Sequence, residues 1–131
     1  MKIRNRQRNG AATVEFALTA PLLFLLLFGS YELNRANMIM HTCESAAYEG
    51  ARVGMVPGAT AAEVREAAEG ILGTVGVRNA TVTITPANLS TQSDAVAVTI
   101  NVGFDDNSLL APLFVGGQRL ERTCELLREI P

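Results

Sequence analysis

The chain has 131 residues, with 11 Lys and Arg against 13 Asp and Glu, no Trp and two Cys. That length leaves room for one small domain beyond a membrane segment, and the acidic balance excludes a surface built to hold nucleic-acid phosphates. Cys43 and Cys124 stand 81 positions apart, which excludes a zinc-ligand or CxxC spacing.

The first ten residues, MKIRNRQRNG, carry Lys2, Arg4, Arg6 and Arg8 and no acid. Without them the remainder has 7 basic against 13 acidic residues, a formal −6. Such a leader keeps the N-terminus in the cytoplasm and sends the rest of the chain across the membrane. Residues 11–31, AATVEFALTAPLLFLLLFGSY, are 21 in number, largely apolar, and uncharged except for Glu15 near their start. About 20 residues cross a ~30 Å hydrocarbon core as a helix, so one span is expected.

Three readings fit this stretch: a cleaved secretory signal, a plain anchor, and a prepilin-type segment cut between Gly10 and Ala11. A secretory signal has a shorter apolar core and a small-x-small cleavage site. Here the apolar run flows into Tyr31, Glu32, Leu33 and Asn34 instead. A cut after Gly10 makes Glu15 the fifth residue of the mature chain and accounts for a carboxylate that the other readings leave as a costly charge in lipid. Pro21 removes one backbone hydrogen bond, which predicts a kink or a loosened turn, with mere tolerance in lipid as the alternative.

Past Tyr31 the helix turns amphipathic. Ala36, Met40, Cys43, Ala47 and Ala51 recur at three- and four-residue steps, with Glu32, Arg35, Asn37, Glu44 and Glu49 largely elsewhere. One helix over residues 11–54 would be roughly 65 Å long. Glu32 with Arg35 and Glu49 with Arg52 read as ordinary surface pairs, each contributing a few tenths of a kcal/mol at about three-residue spacing. His41, the single histidine, reads as a helix-surface residue. Gly54 and Pro57-Gly58 close the helix.

Thr60-Ala61-Ala62-Glu63 is a capping box opening a second helix over residues 60–73. Its apolar face is Val64, Ala67, Ala68, Ile71 and Leu72. The period then becomes two. Ala80, Val82 and Ile84 alternate with threonines, and Val96, Val98, Ile100 and Val102 alternate with Ala97, Thr99 and Asn101, giving half-buried strands near 78–86 and 94–104 joined by a polar loop. Residues 118–128 are ambiguous: Leu120, Cys124 and Leu127 suit a helix, whereas Leu120, Cys124 and Leu126 suit a strand. Asp105-Asp106-Asn107 lacks the further ligands of a calcium loop and reads as a turn. Asn79-Ala80-Thr81 and Asn88-Leu89-Ser90 match the glycosylation sequon, a pattern that is common by chance. Residues 109–115, LLAPLFV, are too apolar to lie free in water; core packing is expected, with a subunit contact as the alternative.

The stretch Gly10-Ala11-Ala12-Thr13-Val14-Glu15-Phe16-Ala17-Leu18, Pro21 with the Leu/Phe run to Gly29, Tyr31-Glu32-Leu33, and Glu49-Gly50-Ala51-Arg52 together resemble the TadE-like minor pilins, or pseudopilins, of tight-adherence (Flp-type) pili. The resemblance is close over residues 3–54 and continues beyond only as a loose pattern of valine-rich strands. The cysteine pair departs from it. The resemblance tips residues 118–128 to strand and implies an α/β (α+β) pilin-like fold: a long N-terminal helix, a short second helix, and an antiparallel sheet of about three strands.

It also implies a non-enzymatic subunit that joins or primes a surface filament used in adhesion or secretion. The implied partners are a prepilin peptidase, an inner-membrane assembly platform, sibling pilins and membrane lipid, with no nucleic acid and no cofactor. Glu15 would pair with the new amine of a neighbouring subunit, and Glu32, Glu49, Gly50, Ala51 and Arg52 stand as family motif residues. The alternative is a single-pass, membrane-tethered binding or sensing domain with an uncleaved leader; a membrane-anchored enzyme lacks any catalytic constellation. Cys43 on the packed stripe and Cys124 on the terminal element could close a disulfide after export, contributing roughly 3–5 kcal/mol in the chain-entropy account; two buried free thiols are the other outcome.

Overall fold

A computed structural model describes residues 4–89 and 94–127, with side chains from residue 10 onward. The first three residues of the leader, Ser90 of the second sequon, Thr91 and Ser93 of the polar loop, and Arg128 at the end of the third element lie outside the described residues.

Helix α1 spans Arg4–Gly54, passing Pro21 without a break, and is about 75 Å long. It starts earlier than the residue 11 expected. Beyond Tyr31 its buried stripe is Glu32, Ile39, Cys43, Ala46, Ala47, Gly50, Ala51 and Gly54, while Ala36 and Met40 are only half-buried. The small residues serve close approach. A Cβ on Gly50 would lie 3.3 Å from the Val64 carbonyl oxygen and 3.4 Å from the Ala68 Cβ, and one on Gly54 would lie 2.8 Å from Val96 Cγ1.

Helix α2, Ala61–Thr74, opens with the expected capping box: the Thr60 hydroxyl accepts the Glu63 amide and the Glu63 carboxylate accepts the Thr60 amide. It closes on Gly76 at φ 64°. The Gly76 amide donates to the Gly73 carbonyl and the Val77 amide to the Leu72 carbonyl, a paired arrangement that satisfies the last free carbonyls. Val64, Ala68 and Leu72 are buried against α1 and the sheet.

Strands β1 (Thr81–Thr85), β2 (Ala95–Gly103) and β3 (Arg119–Leu127) form an antiparallel sheet in that order. The 118–128 segment is therefore a strand. Its half-buried residues, Leu120, Arg122, Cys124 and Leu126, recur at period two, and the strand pairs with β2 along its whole length. Val82, Ile84, Val96, Val98, Ile100 and Val102 form the buried face. Each contributes about 1.5–3 kcal/mol by burial. The opposite face is polar, with the Thr99 and Thr123 hydroxyls bonded at 2.8 Å and the Asn101 amide donating to Glu121. Helix α1 lies across β2 and β3, and α2 packs beside α1 and reaches β1. This is the α+β architecture read from the sequence.

Candidate functional site

The apolar segment of α1 is the first functional element. Val14, Phe16, Leu18, Leu22, Leu23 and the residues on to Phe28 are exposed on all sides of the helix. The helix is long and apolar enough to cross a membrane, and its apolar window buries nothing against the rest of the chain. A helix apolar all round and uncovered by protein fits a single-pass membrane protein. Gly10, Ala11 and Glu15 lie on consecutive turns at its start and are all exposed. Thr19 donates its hydroxyl to the Glu15 and Phe16 carbonyls.

Glu32 begins the part of α1 that carries the folded domain, and it is 6 % exposed rather than a surface residue. Its carboxylate accepts the backbone amides of Leu113 and Phe114 at 2.9 Å and of Val115 at 2.6 Å. Burial pushes the Glu32 carboxyl up, but the Val115, Leu113 and Phe114 amides outweigh it and hold the group below the ordinary carboxylate value. The expected Glu32 to Arg35 pair gives way to this clamp. Arg35 instead donates to the Asn107 carbonyl at 3.1 Å and to the Val75 carbonyl at 3.4 Å.

Asn107 is the second organising residue. It is buried at the end of the 3₁₀ turn Asp105–Asn107. Its side chain accepts the Arg78 amide at 2.6 Å and donates to the Arg78 and Gly103 carbonyls at 2.9 Å. Asp105 accepts the Gly117 amide, where φ is 73°. The Asp-Asp-Asn run is thus a turn, as expected, and it holds both ends of the β2–β3 connection. Among the described residues no group of three or more His, Cys, Asp or Glu is arranged for a metal ion.

Residues 109–115 correct a second expectation. They do not pack into the core: Leu109, Leu110, Leu113 and Phe114 are 75, 53, 60 and 59 % exposed, and only Val115 packs partly against it. The Phe114 ring covers Gly29, whose Cβ, were it present, would lie 2.9 Å from Phe114 Cε2. Between the loop and α1 lies a hollow of about 200 Å³ lined by Phe28, Tyr31, Leu110, Pro112 and Leu113. The sequence carried one signal of the clamp: Glu32 falls in step with Gly29, Ala36, Ile39 and Cys43 on the packed stripe. Nothing local marked Asn107.

Glu49 and Arg52 form a two-point ion pair on the surface, with Arg52 Nε donating to Glu49 at 2.9 Å. The Arg52 guanidinium holds the Glu49 carboxyl below its usual range. Gly50 and Ala51 between them face inward, so this motif combines a helix contact with a solvated pair. His41 is exposed, 3.7 Å from Glu44. Cys43 is buried and Cys124 half-buried against the same core, and both are free thiols here. Burial pushes the Cys43 thiol up, opposed in part by the Arg122 charge.

No curated protein and no solved structure matches the chain. Residues 10–52 match a family model described as TadE-like protein. That match begins at the glycine preceding the anticipated cut and ends at Arg52 of the surface pair, wholly within α1. Over this helix, which carries the apolar span, Glu15, the Glu32 clamp and the Glu49 and Arg52 pair, the chain matches the TadE-like family.

Proposed function

We propose that this chain is a non-enzymatic minor pilin, or pseudopilin, cut by a prepilin peptidase between Gly10 and Ala11 and used in assembling a tight-adherence type pilus for adhesion or secretion. The observation that carries the reading is the start of the TadE-like match at Gly10, with Glu15 one turn further on inside an exposed apolar helix. The family's association with tight-adherence pili supplies the pilus.

In this reading the basic leader holds the N-terminus in the cytoplasm of a bacterial inner membrane and the α+β domain stands outside. Cleavage creates an amine on Ala11 at the depth of Glu15. Pairing Glu15 of one subunit with that amine on a neighbour lowers the cost of both charges in lipid and sets the axial register between helices. Pro21, midway along the span, provides a kink for packing in the filament. Sibling pilins and a membrane assembly platform are the partners. Oxidation of Cys43 and Cys124 to a disulfide after export belongs to the same proposal, and alkylation before and after reduction reads it.

The deciding experiment is N-terminal sequencing and intact mass of membrane-extracted protein from cells with and without their prepilin peptidase. A peptidase-dependent start at Ala11 is expected. A chain that keeps its leader in both strains overturns the pilin reading in favour of a membrane-tethered binding or sensing domain.

A further inference from the structure

We propose that the 109–115 loop is a membrane-contact element: a lipid bilayer covers Leu109, Leu110, Leu113 and Phe114 beside the outer end of the span. The proposal requires that α1 crosses a bilayer and does not require that the chain enters a pilus.

Position is the first argument. Gly29 is 18 residues beyond Ala11, about 27 Å along the helix, which is close to the thickness of the ~30 Å hydrocarbon core. Phe114 lies on Gly29 and the hollow beneath the loop is walled by Phe28 and Tyr31. The loop therefore stands where the span leaves the hydrocarbon, and its apolar surface is continuous with that of the exposed helix below it. Tyr31 is the residue type that settles at this level.

Chemistry is the second. From Asn107 to Gln118 the sequence has no charged residue. Four large apolar side chains there are more than half exposed, a patch too apolar to remain in water. The absence of cations means that burial of apolar area, rather than attraction to anionic headgroups, drives the contact.

Backbone satisfaction is the third. A loop entering a bilayer must have its amides bonded within the protein, because lipid offers no partners. Here Glu32 takes three successive amides, Leu113, Phe114 and Val115. Asp105 takes that of Gly117, and the Ser108 hydroxyl donates to the Leu110 carbonyl. The carboxylate sits on the protein side of the loop and leaves its lipid side apolar. The same carboxylate that breaks the helix's apolar pattern thus satisfies the backbone of Leu113, Phe114 and Val115. The amides of Leu109, Leu110 and Ala111 have no such bond among the described residues, so the backbone there stays at headgroup level and only the side chains reach the hydrocarbon.

The chain contains no tryptophan, so a single introduced indole reports its own surroundings. Full-length protein carrying Leu113→Trp, and separately Leu109→Trp, is reconstituted in phosphatidylcholine vesicles containing brominated acyl chains. Leu22→Trp in the span and Val56→Trp, just past the end of α1 at Gly54, which is about 35 Å beyond Tyr31 along the helix, are the lipid and water references. Leu113 and Leu109 are exposed, so these changes leave the core intact. The expected result is strong quenching at both loop positions, greatest for bromines near the headgroups, with Leu22→Trp quenched by deeper bromines and Val56→Trp unquenched. Adding Glu32→Ala to Leu113→Trp is expected to reduce the quenching.

Loop indoles quenched no more than Val56→Trp overturn the proposal. Unquenched but blue-shifted emission that depends on the protein-to-lipid ratio also overturns it and assigns the patch to a second copy of the chain. If Leu22→Trp is itself unquenched, the span is absent and the membrane reading of α1 falls with the loop. A peptidase-independent N-terminus, by contrast, removes the pilin reading and leaves this proposal standing.

Discussion

The carboxylate of Glu32 and the backbone amide of Val115 stand 83 residues apart in sequence and are joined by a 2.6 Å hydrogen bond. With the Leu113 and Phe114 amides, this contact ties the β2–β3 connection to the first helix just where that helix turns from wholly apolar to amphipathic. Domain and span are thereby held as one piece at their junction.

Replacing Glu32 tests the clamp directly. Glu32→Gln keeps the shape but loses the charge and one acceptor oxygen, and Glu32→Ala loses all three bonds. Amide hydrogen exchange at Leu113, Phe114 and Val115 is expected to speed up by roughly tenfold in the first and further in the second, as loss of charge-assisted bonds dictates. Exchange in β2 should change little. Unaltered exchange at all three amides would show that the loop is held by its apolar contacts alone.

Acid should loosen the same region. The Val115, Leu113 and Phe114 amides outweigh burial at Glu32, the Arg52 guanidinium acts on Glu49, and the Thr60 amide and hydroxyl act on Glu63, so each carboxyl lies below its ordinary value of 4.5. A carboxyl depressed in the folded state contributes stability that is complete above its unfolded value and is lost as pH falls through its folded value. Tm is therefore expected to hold steady near neutrality and fall once pH drops below about 4.5, with a shallower fall in Glu32→Gln. Equal slopes in both proteins would remove Glu32 from the account.

Glycines on the two helices should respond in opposite directions. At Gly54 a Cβ would lie 2.8 Å from Val96 Cγ1, so Gly54→Val should cost about 1–3 kcal/mol by overpacking. Gly70 is exposed within α2, and an added Cβ meets nothing within 4 Å. Gly70→Ala should stabilise by about 0.5–1 kcal/mol through helix propensity. Denaturant midpoints of the two variants give the comparison.

The second helix offers a local control. Thr60→Ala removes the hydroxyl that accepts the Glu63 amide and should cost about 1 kcal/mol. Loop exchange at residues 113–115 is expected to stay as it is in the unmodified protein. A change there would mean that the two ends of the domain are coupled.

Glu15→Ala separates insertion from assembly. The exposed apolar span is otherwise unchanged, so membrane fractionation should be as before or tighter, because a charge is removed from lipid. Recovery of the subunit in sheared filaments should fall to background if the carboxylate pairs between subunits. Undiminished incorporation would leave Glu15 as a solvated interface residue.

What the sequence determined by itself is the set of features whose physics is local. A largely apolar stretch of 21 residues after a basic leader is long enough for a span. Thr60 and Glu63 specify a helix start, since both bonds close within one turn. Val96, Val98, Ile100 and Val102 specify a strand because period two is a property of the backbone. Residues 118–128 show where this ends: Leu120, Cys124 and Leu126 fit one period and Leu120, Cys124 and Leu127 another, and pairing with β2 decided between them. Glu32 and the 109–115 loop show it more sharply. By spacing alone Glu32 paired with Arg35 and the loop belonged in the core, whereas the folded chain gives Glu32 three loop amides, sends Arg35 to the Asn107 and Val75 carbonyls, and leaves the leucines outside. The partners are 40 to 83 residues apart, and only the packing of helix on sheet brings the carboxylate to amides that have no strand to bond.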